Sequence, residues 1–322
     1  MARDEAHDVP RDEPRIEVIV AARRGPDDDP DLLAPVEILD RVRRGGAGHN
    51  GGRDGGSGLT ALNYVADVHP KDGTVLTMVT QTFPLEQALG LNDKLKVDLR
   101  RLNWIGNMSD ASNFLLTSRA SPTRTLADAR RRETIIGVPS IADASAWLTL
   151  VTNGTLGTRF KLVPGYTSGP DMNLAMERGE IDGRGTSNPK AMFTGGTETG
   201  PDGRPLFNFL LQWGLRKSRD YPGVPLLSEL AANAEQKVIF DFICKVASLA
   251  RPIATNADVP PDRVAALRRA FDLTMKDPDF LADAQRQGME IGPMPGEELQ
   301  QLVASVVDAP PAVVEKVRQA VK

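Results

Sequence analysis

From Leu59 onward the chain alternates between two kinds of text, and that alternation restricts its fold more than any other feature. Apolar or β-rich runs occur at Thr74–Thr80, Trp104–Met108, Asn113–Thr117, Thr134–Val138, Arg159–Val163 and Phe207–Trp213. Between them lie stretches of helical period, clearest at Ala144–Val151, Met172–Arg178, Ala234–Leu249 and Pro261–Met275. In the last of these, Val264, Leu267, Phe271 and Met275 share one face behind a Pro260-Pro261 start, and we read that stripe as core. Strands alternating with helices predict an α/β fold with mostly parallel sheets. Beyond Asp277 only helical pattern remains, cut by Pro293, Pro295, Pro310 and Pro311.

Residues 1–56 do not share this pattern. They hold nine Arg, thirteen Asp plus Glu and eight Gly, with no Lys, Ser, Thr, Gln or aromatic residue. Low hydrophobicity with dense charge predicts poor order, relieved only by a short candidate strand from Ile16 to Ala22. The remaining residues, 57–322, carry 30 basic and 30 acidic side chains. A net charge of −4 argues against a nucleic-acid partner. No run approaches the roughly 18 apolar residues of a membrane helix.

Tests for chemistry return little. Gly46-x-Gly48-x-x-Gly51 has the form of a dinucleotide fingerprint, but Arg41-Val42-Arg43-Arg44 precedes it instead of a strand. There is no P-loop and no Gly-x-Ser-x-Gly elbow. One cysteine, Cys244, and three histidines, His7, His49 and His69, are too few for a metal centre built on those side chains. His69 stands in the turn string Val68-His69-Pro70-Lys71-Asp72-Gly73, and Cys244 within a helical pattern that predicts a buried, inert thiol. The carboxylate pair Glu180 and Asp182 reads as ordinary surface. With no nucleophile–base pair or metal set, we expect no enzyme activity and no cofactor.

Three loops stand out, each rich in small and hydroxyl residues and each directly after a strand. They are Thr80-Gln81-Thr82, Pro139–Ser145 and Gly165–Asp171. The second and third open helices. Ligands of α/β sheets bind outside the carboxyl ends of strands, where helix starts offer free N–H groups to an anion. For any one loop a helix cap and turn is the better reading; three in one chain raise a binding cleft to an even alternative. The candidate ligand-binding residues are Thr80, Gln81, Thr82, Ser140, Asp143, Ser145, Tyr166 and Asp171. Asp143 sits awkwardly among them, because a carboxylate beside a helix start repels an anionic ligand.

Four strings carry a resemblance. They are Gly165-Tyr166-x-x-Gly169-x-Asp171-x-x-Leu174-Ala175-Met176-Glu177-Arg178-Gly179-Glu180-Ile181-Asp182-Gly183, Asn63-Tyr64 followed by Pro70-Lys71-Asp72-Gly73-Thr74, Ser121-Pro122-x-x-Thr125-Leu126-Ala127-Asp128, and Val259-Pro260-Pro261-Asp262-Arg263-Val264-Ala265-Ala266-Leu267. Over about 59–305 the chain resembles the substrate-binding receptors of tripartite tricarboxylate transporters, the Bug-type extracytoplasmic receptors. The resemblance implies a periplasmic-binding-protein-like fold of type II, with two α/β lobes, a ligand cleft and crossing hinge strands. It implies a monomer that binds a small carboxylate through loop N–H groups, hydroxyls and water, partnered by membrane transporter subunits and located in the periplasm. The expected division is an atypical segment 1–56, a first lobe of 57–117 plus 251–322, and a second lobe of 118–250. The crossings are expected near Asn113–Ser118 and Arg251–Asn256.

The start of the chain departs from that family. Arg3, Asp4, Glu5, Asp8, Arg11 and Asp12 occupy the place of an apolar export signal, and Ala22–Asp29 the place of a Pro-Gly-Gly-type ligand loop. The alternative reading is therefore a degenerate or cytoplasmic relative that keeps the fold but has lost export and binding, or serves as a sensor. Arg, Gly, Asp, Ala and Pro are what GC-rich codons yield out of frame, and family-like text resumes abruptly at Ser57-Gly58-Leu59. Translating the nucleotide sequence upstream of codon 57 in the other two frames is expected to reveal an apolar export signal and a Pro-Gly-Gly-type loop. Neither frame containing them would mark 1–56 as a genuine divergent segment.

Overall fold

A computed structural model describes residues 58–321 apart from 68, 69, 110, 111, 188, 194–197, 287, 288 and 290. The candidate strand Ile16–Ala22, the Gly46–Gly51 string and His69 lie outside the described residues. In chain order the first elements are α1 (Leu59–Asp67), β1 (Thr77–Met78), α2 (Phe83–Leu89), β2 (Asn103–Asn107) and β3 (Asn113–Ser118). Next come α3 (Leu126–Arg131), β4 (Thr134–Val138), α4 (Ala144–Leu156), β5 (Phe160–Pro164), α5 (Gly169–Glu177), β6 (Gly183–Thr186) and β7 (Phe207–Trp213). The chain continues through α6 (Ala234–Ala247), β8 (Pro252–Thr255), α7 (Pro261–Thr274), α8 (Pro278–Arg286), β9 (Met294–Pro295), α9 (Gly296–Val307) and α10 (Pro311–Ala320).

The strands form two sheets, ordered β1-β8-β2-β9 and β5-β4-β6-β3-β7. The first sheet is therefore discontinuous in sequence: β8, 145 residues after β2 in register terms (Asn107 opposite Pro252), sits between β1 and β2. Mostly parallel sheets were expected, and here the structure differs. Only β4–β5 and β4–β6 pair in parallel, while the other five named pairs are antiparallel. The reason is topological. Parallel pairing needs a crossover that returns to the same sheet, as α4 and α5 provide between β4, β5 and β6, whereas β3 and β8 enter from the other sheet and pair antiparallel.

Local chemistry sets the element ends. At α3, Thr125 Oγ1 accepts from the Asp128 N–H at 3.2 Å while the Asp128 carboxylate accepts from the Thr125 N–H at 3.0 Å, a reciprocal capping box. The stripe Val264, Leu267, Phe271 and Met275 is buried as expected, packed with Ile105 and Met108. Trp104 and Trp213 anchor the two largest apolar clusters, and each indole N–H is satisfied: Trp104 donates to the Leu99 carbonyl at 2.9 Å and Trp213 to Thr152 Oγ1 at 3.2 Å.

The chain passes from one sheet to the other between Asn107 and Asn113, and back between Ala247 and Pro252. β3 lies wholly in the five-stranded sheet, so the first crossing precedes the boundary expected at 117. Side chains bind the two crossings together. Asn107, fully buried, donates from Nδ2 to the Ser248 carbonyl at 2.8 Å and accepts the Arg251 N–H on Oδ1 at 2.9 Å. Asn113 Nδ2 donates to the Ala247 carbonyl at 2.9 Å, and Ser248 Oγ accepts the Leu215 N–H at 3.1 Å. The last helix was also expected with the first lobe. Instead Val314 and Val317 of α10 pack in the cluster of α4 and α6, Lys316 pairs with Glu235 at 2.9 Å, and Arg318 donates to the Leu89 carbonyl of α2. Its apolar face finds partners on both sides of the crossing.

Replacing Asn107 by Ala strands a buried carbonyl and a buried N–H. Asn107→Ala is expected to lower stability by about 1–3 kcal/mol, read as a fall in denaturation midpoint with the slope unchanged. An unchanged midpoint would mean that the crossings do not depend on this side chain.

Candidate functional site

The parallel part of the five-stranded sheet, β5-β4-β6, presents its carboxyl ends together, with Val138 opposite Pro164 and Gly137 opposite Arg184. Two helices begin there, one on each face. Consecutive strand residues point to opposite faces, so Arg184 and Gly185 address different helices. On one face Gly185 meets the start of α4: a Cβ there would lie 2.6 Å from the Ser145 Cβ, so only glycine permits the approach. On the other face Arg184 lies under the start of α5, its Nη2 3.3 Å from where a Gly169 Cβ would stand. Gly137, in register with Arg184, lies under the Tyr166 ring, which places Tyr166 and Arg184 on the same face.

At α4 the structure gives Asp143 a definite task. It is the N-cap, its Oδ1 accepting from the Ser145 N–H at 2.8 Å and from Ser145 Oγ. The Ala146 and Trp147 N–H groups donate to the Asp143 carbonyl, each at 3.1 Å. Ser140 is exposed and contributes its carbonyl to the Asp143 N–H at 3.2 Å. The positive end of α4 is thus matched by a carboxylate of its own chain. This explains an acidic residue at a helix start and shows that Ser145 directs both its donors inward.

At α5 the cap is Ser168, whose Oγ accepts the Asp171 N–H at 3.3 Å. Asp171 is exposed and accepts from Thr167 Oγ1; the Thr167 and Ser168 hydrogen bonds hold its carboxyl below the usual range. Tyr166 is half-buried against the cluster of Leu116, Met172, Ala175, Met176, Ile181 and Met192.

The third loop stands on the other sheet, after β1. Thr82 is buried and donates to Glu86 Oε1 at 2.9 Å, and Glu86 accepts from Asn92 Nδ2 at 2.6 Å, so this hydroxyl braces α2. Thr80 Oγ1 stands 3.4 Å from where a Gly58 Cβ would be. Gln81 is different. Its Nε2 is enclosed and has no hydrogen-bond partner among the described residues. An enclosed amide without a partner costs about 1–3 kcal/mol unless something else accepts from it.

The remaining chemistry-bearing residues are structural. Asp182 accepts from Ser121 Oγ and from the Ile135 N–H, both at 2.8 Å, and Glu180 is exposed beside Arg178. Burial pushes the Cys244 thiol up to about 11, which leaves it protonated and unreactive at neutral pH. Among the described residues no group of three or more His, Cys, Asp and Glu side chains could hold a metal ion, and no helix is long and apolar enough to cross a membrane.

Sequence reasoning missed β6 and with it Arg184. Gly183-Arg184-Gly185-Thr186 has no apolar residue, so neither alternation nor β propensity announces a strand. Arg184 is only 9% exposed and has no carboxylate partner among the described residues. The available signal was the glycine on each side of one arginine, which marks a place where helices approach closely.

The fold is shared with solved solute-binding proteins. A TctC solute binding protein from Polaromonas superposes with TM-score 0.59 at 15% identity, over 83% of this chain and 85% of that one. The periplasmic binding protein BugD does so with TM-score 0.57 at 16% identity, over 82% and 83%. R. palustris Rpa4515, determined with adipate, gives TM-score 0.59 at 16% identity, over 88% and 93%. No family model and no curated protein matches the sequence. The chain therefore has the periplasmic-binding-protein-like, two-lobed α/β fold, as its resemblance to Bug-type receptors implied.

If Asp143 serves α4 as its cap, Asp143→Ala should cost about 1 kcal/mol of stability, while Asp143→Asn, which keeps the acceptor, should cost only a few tenths. Thermal denaturation of both variants checks this. Equal losses would assign the effect to charge instead of capping.

Proposed function

We propose that the chain is a non-enzymatic solute-binding receptor that captures a small carboxylate in the periplasm and delivers it to a tripartite tricarboxylate-type transporter. The observation that carries this reading is the placement of the loops. The Pro139–Ser145 and Gly165–Asp171 loops share the carboxyl edge of one sheet, and Thr80–Gln81 stands at the strand end of the other. The lobes, divided at the crossings, would close over the ligand by hinge motion. On this reading Thr80 and Gln81 shape the first-lobe side of the cleft from the end of β1. Tyr166 supplies an apolar wall from the second. Asp143, Ser145, Thr82 and Asp171 shape the loops and touch the ligand less directly. The adipate bound to a protein of the same fold at 16% identity supports a dicarboxylate.

One observation favours a second reading, a relative that retains the fold without binding. The hydroxyls of Ser145, Thr82 and Thr167 are all turned to carboxylates of the chain itself. Cell fractionation separates the two, because a receptor must leave the cytoplasm.

Ligand specific to the folded protein stabilises it by RT ln(1 + [L]/Kd), about 2.7 kcal/mol at a hundredfold excess over Kd. A thermal-shift screen of mono- and dicarboxylates, amino acids and aromatic acids is expected to show such a rise for a narrow group of carboxylates. No shift with any of them would overturn the receptor reading.

A further inference from the structure

Arg184 is a cation without a counter-ion among the described residues. A guanidinium carries five N–H donors. Two are accounted for: Nε donates to Asn173 Oδ1 at 2.9 Å, and Nη1 to the Gly185 carbonyl at 3.2 Å. Both acceptors are neutral. Nη2 has no partner among the described residues. It lies against the start of α5, 3.3 Å from where a Gly169 Cβ would stand.

The nearby carboxylates are engaged elsewhere. Asp171, on the first turn of α5, is exposed and turned to Thr167 and Ser168. Asp182, just before β6, holds Ser121 and the Ile135 N–H. Burial alone pushes the Arg184 pKa down, to about 10, with no acidic group acting against it, and the side chain stays charged at neutral pH. The Gly169 end of α5 faces the same guanidinium. A helix start carries partial positive charge. Two positive groups therefore face one another at the carboxyl edge of β4 and β6, in a site that excludes most water.

The start of α5 could not hold an anion unaided. Of its first N–H groups, that of Asp171 goes to Ser168 Oγ and that of Met172 to the Ser168 carbonyl at 3.3 Å. Pro170 has none. Only the Gly169 N–H remains, and the open edge of Arg184 lies beside it.

We propose that Arg184 is the anion anchor of the cleft: its Nη2 edge, together with the Gly169 N–H, receives one carboxylate of the ligand. The absence of a side chain at Gly169 and at Gly137 makes the approach open, with the Tyr166 ring over Gly137 forming the adjoining wall. A carboxylate there neutralises a desolvated cation and a helix start together, which water does poorly in a buried site. The inference rests on the receptor reading and assigns the charge recognition that the hydroxyls of the loops do not supply. An unpaired buried cation costs stability, so its removal should not weaken the fold of the unliganded protein.

The test compares wild type with Arg184→Gln, Arg184→Lys and Arg184→Met. Affinity is measured by calorimetry for the straight-chain dicarboxylates malonate to suberate, with adipamide as the uncharged control. Melting temperature is measured without ligand. For the tightest dicarboxylate, Arg184→Gln and Arg184→Met are expected to lose about 10–100-fold in affinity, and Arg184→Lys less, because charge survives without the fork. Adipamide should not bind to any of them. The unliganded melting temperature of Arg184→Met should equal or exceed that of wild type. Wild-type affinity in Arg184→Gln would sink the anchor and leave the receptor reading standing. So would a lower melting temperature in all three variants with affinity intact, since that is the mark of a brace between β6 and Asn173. Failure of wild type itself to bind any member of the series would remove the receptor reading and the anchor together.

Discussion

Everything in this molecule depends on where the chain is allowed to change sheets, and that is fixed by a buried amide. Asn107 donates to one segment of the return crossing and accepts from the next, 2.8 Å and 2.9 Å away. A backbone that crosses between two layers leaves N–H and C=O groups with no ladder to join. Asn107, Asn113 and Ser248 supply the missing partners from side chains. Because these bonds join the outgoing and returning crossings to each other, the two crossings behave as one joint. The packing of α10 against α2, α4 and α6 lies across it.

A second constraint is electrostatic. The two helices that start at the edge of the five-stranded sheet solve the same problem in opposite ways. At α4 the chain places its own carboxylate, Asp143, on the helix start. At α5 the capping group is a neutral hydroxyl, and a buried arginine is added beside it. At α4 the carboxylate is the cap itself, whereas at α5 the carboxylate, Asp171, is exposed on the first turn and the arginine lies buried beneath, so the two faces of the same sheet edge are not equivalent towards an anion. Proline at the second position of α5 removes an N–H that a ligand could otherwise share, so an anion there depends more on the arginine.

The strands with strong apolar patterns were legible: Thr134–Val138 and Phe207–Trp213 stand where their residues put them, and the helices at 144, 234 and 261 begin where their caps and prolines place them. Thr74–Thr80 was read as a seven-residue strand, yet only Thr77–Met78 pairs, because the returning strand opposite it offers only a short run of partners. Gly183–Thr186 was invisible, since its place in the sheet comes from neighbours on both sides and not from its own side chains. Asp143 was legible as an anomaly but not as a solution. Its spacing to Ser145 permits a cap, whereas a choice between cap and ligand contact depends on where the carboxylate points.

The sequence by itself determined the α/β class, the inert setting of Cys244, the absence of a recognisable nucleophile–base pair and the family resemblance that names the fold, because local period, residue counts and short strings suffice for these. Only the tertiary structure decided that most strand pairs are antiparallel, that Asn107 ties the crossings, that α10 packs across them, and that Arg184 lies buried beside a helix start. Each of those is a relation between segments far apart in the chain, and the energy of a buried charge or amide depends on what surrounds it, not on its neighbours in sequence.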